Sequence, residues 1–375
     1  MGGVSDGRSG GFRFLRRACA LWTLVFLFLC LDALRFVGAH GSGARPALPE
    51  GYDRSFREGW GHLEQERWAE ARAAFGAIPP GEYDLGDYVV FFSGMASARE
   101  RRRDEASEAL KRLGELYPQS PLVPYLQHEI AFAAALDNDL PTARAALAVS
   151  RGKVTGNGRK SEEGYVAALL AEEGAPTPAA AALHLENFSA YSAQSAAVLS
   201  YERLWAWWKE GWLASFDLPA GFHARLGKAI ARTGDAERAR AVYDNAVNRF
   251  PPSDEYYALV LDYSEFLRKQ GETEAASELL AKRFADGLPA FRSEVQFLQA
   301  RVDWKAGKLA EAKKGFLAVA RGNARFGTAE RAGYYAAWLA VDEGDVAGAT
   351  DAFGELRLAA DEKIRQEAIF RHAYG

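Results

Sequence analysis

Cysteine is nearly missing from this chain: only Cys19 and Cys30 occur among 375 residues, and both precede position 40. From there to the last residue no disulfide can form, and the thiolate ligands of soft-metal sites are absent. Methionine is as scarce, with only Met1 and Met95, and there are six histidines: His40, His62, His128, His184, His223 and His372. None of these pairs at ligand spacing. His128-Glu129 lacks the second histidine of a zinc protease helix, and His184-Leu185-Glu186 lacks the downstream cysteine pair of a zinc deaminase. No glycine-rich loop ends in Gly-Lys-Ser or Gly-Lys-Thr, which removes the usual cradle for a nucleotide triphosphate. Alternating β-branched runs are lacking too, so no sheet is expected. The sequence therefore predicts no catalytic residue, no metal and no cofactor, and its histidines read as core or surface side chains.

An excess of positive charge is also missing. The chain has 46 basic and 50 acidic residues, and beyond position 39 the counts become 41 and 48, a net of −7. That balance argues against a nucleic-acid partner. The basic run Arg99, Arg101, Arg102 and Arg103 reads as the solvated end of a helix, where cations suit the C-terminal dipole.

What the chain does have is a repeat. A turn residue is followed five positions later by Ala and nine positions later by a large apolar residue. The four clearest copies are Gly234, Ala239, Tyr243; Gly271, Ala276, Leu280; Gly307, Ala312, Phe316; and Gly344, Ala349, Phe353. The same frame holds earlier at Glu66, Ala71, Phe75; Arg101, Ala106, Leu110; Asn138, Ala143, Leu147; and Gly174, Ala179, Leu183. Seven positions before each turn stands a small residue: Gly59, Gly94, Ala131, Ala167, Gly227, Ser264, Ala300 or Ala337. A period near 36 residues means stacked helix pairs that share a continuous core. The turn residue ends a first helix in the left-handed conformation, an acid often follows to start the second helix, and the Ala and the large residue lie on one face of that second helix.

Small residue, turn, Ala and aromatic in this order resemble the tetratricopeptide repeat. Pro118 and Pro251, 17 positions after their turns, also match that family's pattern, whereas its early Trp is missing. The resemblance implies an all-α fold, a right-handed superhelical solenoid of antiparallel helix pairs with about eight repeats. It also implies that the first helices line a concave surface, to which Arg301, Trp304, Arg331, Tyr334 and Trp338 are assigned as a candidate partner-binding set.

Two breaks interrupt the period. Between Gly174 and Gly234 the step is 60 residues, which predicts an irregular joint over 188–220 that carries Trp205, Trp207, Trp208 and Trp212. Trp205, Trp208 and Trp212 share one helical stripe; the four tryptophans read as gap-filling core, which such a stripe usually marks, or as an aromatic platform that stacks on a sugar ring or a partner, and mutation of Trp207, off that stripe, separates the two readings. Repeats one to four are expected over 52–187, repeats five to eight over 221–359, and the first helix of an incomplete ninth over 360–375.

At the other end, Arg8, Arg13, Arg16 and Arg17 precede 14 uncharged residues from Ala18 to Leu31, and the small residues Gly38 and Ala39 follow. Residues 1–39 read as a secretory signal and 40–51 as a Gly- and Pro-containing linker. A membrane span needs about 20 apolar residues, so cleavage is favoured over an uncleaved anchor, the one route to a membrane. The expected location is periplasmic or otherwise exported. The order of signal, repeats with Tyr117-Pro118-Gln119-Ser120-Pro121-Leu122, irregular middle and further repeats loosely resembles the N-terminal superhelical half of soluble lytic murein transglycosylases. That family's catalytic Glu-Ser pair and methionine-containing segment are absent. Two functions follow as expectations: an exported scaffold for a protein or polymer partner, or a non-catalytic portion that positions peptidoglycan.

Overall fold

The computed structural model describes residues 50–284, 289–322, 324 and 326–374. The signal expected over 1–39 lies outside these residues. So does most of the linker, although Glu50 and Gly51 already belong to the first helix. Among the described residues there are 19 α-helices and no strand. No described helix is long and apolar enough to cross a membrane. The chain divides into two compact units: residues up to 175 with 193–200, and residues 176–192 with those from 201 onward.

The first unit holds α1 (Glu50–Glu64), α2 (Trp68–Gly76), α3 (Gly86–Arg99), α4 (Arg103–Leu116), α5 (Val123–Leu136), α6 (Leu140–Ser150) and α7 (Asn157–Glu172). The second begins with α8 (Pro178–Tyr191). Next come α9 (Ser195–Lys209), whose first turn belongs to the first unit, and the short α10 (Trp212–Ser215). Then follow α11 (Ala220–Arg232), α12 (Ala236–Arg249), α13 (Asp254–Gln270), α14 (Thr273–Arg283), α15 (Arg292–Lys305), α16 (Leu309–Arg321), α17 (Phe326–Asp342), α18 (Val346–Glu355) and α19 (Glu362–Tyr374). The stretch expected to be irregular is thus mostly helical. In the pairs α1–α2, α3–α4, α5–α6, α11–α12, α13–α14, α15–α16 and α17–α18 the first helix packs on its own second helix, and within each unit first helices of successive pairs also touch, as α3 with α5, α11 with α13 and α13 with α15 do.

The repeat frame has a direct physical basis. All eight turn residues, Glu66, Arg101, Asn138, Gly174, Gly234, Gly271, Gly307 and Gly344, have positive φ. The acid after the turn caps the next helix where it is Asp: Asp139, Asp235 and Asp345 accept from the backbone N–H of Thr142, Arg238 and Gly348 at 3.2, 3.1 and 2.9 Å. Glu272, one methylene longer, makes no such bond, consistent with the preference for short side chains at this position. At Gly59 and Gly227 the small residue is needed because the large one of the same pair lies against it, whereas Gly94 meets Ala109 and Leu126. A Cβ added at Gly59 or Gly227 would sit 2.9 Å from the Phe75 ring or 2.8 Å from the Tyr243 ring.

The fourth pair departs from the expected frame. Ala179 and Leu183 are not in the core; the buried residues are Ala168, Ala180 and His184. Their spacings of 12 and 16 residues match Gly59, Ala71, Phe75, so the pattern persists one residue later. The cause is the longer turn, in which both Glu173 and Gly174 have positive φ and Thr177 caps α8. At the far end of the second unit, α19 buries Ile364 and Ala368 and leaves Ile369 and Phe370 half exposed.

Left-handed geometry costs a residue with a Cβ about 1 kcal/mol or more, and an added methyl in a tight contact costs about 1–3 kcal/mol. Glu66→Gly is therefore expected to stabilise the fold by about 1 kcal/mol, and Gly227→Ala to destabilise it, both read by urea unfolding.

Candidate binding site

In the second unit, α13, α15 and α17 bring together the side chains that most resemble a binding surface. Glu265 on α13 is the centre: Arg268 donates to both its oxygens at 2.8 and 3.0 Å, Arg301 of α15 reaches it at 3.1 Å, and Lys269 stands at 3.7 Å. Arg301 also lies over the rings of Phe297 and Tyr335, each at 5.9 Å, and Arg331 of α17 lies over Phe297 at 5.0 Å. Trp304 meets Tyr335 edge to face at 5.5 Å. Arg268, Arg301, Trp304, Lys305 and Tyr335 line a cavity of about 260 Å³. One carboxylate faces several cations here. Burial and the neighbouring Arg268 and Arg331 push the Arg301 guanidinium below its usual range, although Glu265 opposes this.

Of the five residues assigned from sequence, Arg301, Trp304 and Arg331 converge on this cavity or its rim. Tyr334 and Trp338 do not. They pack edge to face on Phe353 at 6.2 and 6.1 Å, with Arg371 over Trp338 at 4.7 Å. Tyr334 precedes its small residue by three positions, as Phe56 and Phe297 do, and that slot meets the large residue of the same pair: Phe56 on Phe75, Phe297 on Phe316, Tyr334 on Phe353. Sequence reasoning missed Arg268, Lys305 and Tyr335. The repeat itself held the signal, since moving one position on from that core slot selects Tyr335 in place of Tyr334.

The tryptophans of the expected joint also fall differently. Trp207 is 2% exposed and meets the buried His184 edge to face at 5.5 Å, so it is a core residue and unsuited to a platform. Trp205 and Trp208 are half-buried and stack face to face at 4.8 Å and 7°. Trp212 is exposed. The stripe therefore turns outward, because α9 presents the opposite edge, Tyr201, Leu204 and Trp207, to the core.

A second cluster lies inside the first unit. Arg99 of α3 donates to Glu162 of α7 at 2.9 and 3.1 Å and pairs with Glu129 of α5 at 2.6 Å. The His128 ring nitrogen Nε2 lies 2.8 Å from Glu162, and Arg159 stands 4.0 Å from Glu129. Arg99 is thus turned inward, while Arg101, Arg102 and Arg103 pair with Asp137, Glu105 and Asp139 at the helix ends. Among the described residues, His128, Glu129 and Glu162 bring metal-ligand atoms within 4.8 Å of one another. The two arginines already neutralise the two carboxylates, so this charge arrangement leaves no net attraction for a cation. Burial alone would raise the Glu162 carboxyl, but the His128 hydrogen bond and the Arg99 guanidinium outweigh it and hold it down at about 2.

No protein-family model and no curated protein matches the sequence. Among solved structures, a tetratricopeptide repeat protein from Parabacteroides merdae is similar at 11% identity and a TM-score of 0.37, over 87% of this chain and 100% of that one. The TPR domain of P58(IPK) is similar at 12% identity and a TM-score of 0.26, over 86% of this chain and 97% of that one. The assignment of tetratricopeptide-like helix pairs rests on the turn, cap and close-contact geometry described above.

Two predictions follow from the buried groups. The folded pKa of Glu162 is depressed, so its stabilisation is complete above the usual carboxyl range and is lost as pH falls from about 4.5 towards 2. Glu162→Gln should cost about 3 kcal/mol at neutral pH, by leaving charge uncompensated, and should flatten that acid limb in denaturant titrations. His223 is buried with neither ring nitrogen hydrogen-bonded, and burial together with Arg249 lowers its pKa to about 4. His223→Leu should therefore raise the unfolding midpoint, since a buried polar group without a partner costs about 1–3 kcal/mol.

Proposed function

We propose that this chain is an exported scaffold that holds a protein partner on the face formed by α13, α15 and α17. The observation that carries this reading is the imbalance at Glu265: Arg268 and Arg301 share one carboxylate, with Lys305 and Arg331 adding positive charge beside Trp304, Phe297 and Tyr335. Side chains of this kind favour a partner segment that supplies a carboxylate next to an apolar group. Arg offers fixed donors for the first, and the ring faces offer area for the second. Tetratricopeptide-like pairs suit this task because successive first helices place residues from distant parts of the sequence on one continuous surface.

Export and a place in the cell envelope rest on sequence. The basic residues Arg8 to Arg17 lead into 14 uncharged positions, and positions 40–375 carry no cysteine, a composition indifferent to an oxidising compartment. No residue is assigned a catalytic role.

Lys305 and Arg331 are exposed, although the Arg331 guanidinium lies over the buried Phe297 ring at 5.0 Å. The double variant Lys305→Glu, Arg331→Glu is expected to lose no more than about 1 kcal/mol of unfolding free energy, the size of the Arg331–Phe297 contact, and to weaken partner retention at least about tenfold. Retention by the parent chain should itself fall as salt screens the cations. Co-purification from the envelope fraction reads both; full retention by the double variant at low salt would remove this face from the partner interface.

A further inference from the structure

The geometry points to a saccharide-binding groove between α9 and α12, separate from the Glu265 cleft. Its core is a stack of three planar groups. Arg238 places its guanidinium 4.8 Å over the Trp205 ring, and Trp208 covers Trp205 at 4.8 Å with the two indoles 7° from parallel. Arg238 is fixed by the Tyr201 hydroxyl at 2.8 Å, Asp235 at 3.2 Å and Glu202 at 3.5 Å. The stack is thus anchored at one end and ends at Trp208. That indole forms one wall of a cavity of about 510 Å³ whose other walls are Ala241, Asp244, Asn245, Asn248 and Arg249.

Packing does not account for this pair. The core beneath α9 is filled by Tyr201, Leu204 and Trp207, and both Trp205 and Trp208 stand outside it, half-buried. The polar wall is pre-arranged. Asp244 accepts a hydrogen bond from the Tyr263 hydroxyl, Asn248 accepts from Arg283 at 3.0 Å and donates to the Asp244 backbone carbonyl at 2.9 Å, and Arg249 donates to the carbonyls of Leu213 and Phe216 at 3.4 and 3.2 Å. Asn245 lies exposed between them.

The chemistry of the two walls selects the ligand class. An indole face offers polarisable area to a flat row of C–H bonds. Carboxylate, amide and guanidinium groups together offer both acceptors and donors, which suits neighbouring hydroxyls that must do both. Asp244 and Arg249 are opposite in charge, and Arg283 is held on Asn248 beside them, so the wall is of mixed sign with no carboxylate ringed by cations as at Glu265. A neutral pyranose chain fits these terms. Rings whose hydroxyls are all equatorial fit best, because nothing interrupts their C–H faces.

The test is titration of the full chain with cellotetraose and with chitotetraose, followed by tryptophan fluorescence and by calorimetry. Saturable binding of either probe is expected, with Trp208→Ala weakening it at least about tenfold and Asn245→Ala weakening it measurably. Trp208→Phe, which keeps a ring, should retain part of the binding and gives the readout should Trp208→Ala fold poorly; circular dichroism melts establish that. Binding of neither probe to the parent chain overturns the proposal. So does unchanged affinity in a folded Trp208 variant.

Discussion

The fold depends on one contact repeated along the chain: a small residue of a first helix pressed against a large side chain of its second helix, 16 positions on. Gly59 beneath Phe75 and Gly227 beneath Tyr243 are the tightest examples, with no room for a methyl group. That contact sets how closely the helices of a pair approach, and the left-handed turn between them sets their reversal. Pairs built this way expose the outer edges of their first helices side by side. Side chains about 33 to 37 positions apart in sequence then become neighbours, as Arg268, Arg301 and Tyr335 do.

The same construction gives opposite electrostatic results in the two units. In the first, Arg99, His128, Glu129, Arg159 and Glu162 of α3, α5 and α7 meet in a buried network whose formal charges cancel. Such a network ties the helices together. In the second, Glu265 is outnumbered, and the surplus cations border a cavity instead of being sealed in the core. Desolvation works on both sets, and in both the cations hold the carboxylate down, Glu162 in the first and Glu265 in the second; Arg301, buried beside Arg268 and Arg331, is the group that loses basicity. An unbalanced charge at a cavity is a cost to the free protein that an incoming carboxylate would relieve.

Much of this fold was legible in the sequence because its determinants are local. Positive φ at Glu66, Arg101 and Asn138 could be placed by period alone, without glycine, since the Ala and the large residue fix the phase on both sides. The phase failed at the fourth pair, where one extra left-handed residue moved the core from Ala179 and Leu183 to Ala180 and His184. A single-residue slip in a loop leaves no mark on composition. The candidate site was half legible. Residue type singled out Arg301, Trp304 and Arg331, which the fold brings close together. Facing depends on helical phase to within one position, and that is where Tyr334 was chosen over Tyr335 and the buried Trp207 was grouped with Trp205 and Trp208. The Arg99 network was invisible because its members come from three helices and make no motif.

The central proposal is that the face formed by α13, α15 and α17 holds a protein partner. Position-specific photocrosslinking tests it most directly, with the probe placed at Lys305, which lines the cleft on α15, or at Lys282, exposed on α14. The account predicts a discrete adduct from position 305 in the envelope fraction and none from position 282. An adduct from position 282, with none from position 305, would contradict it.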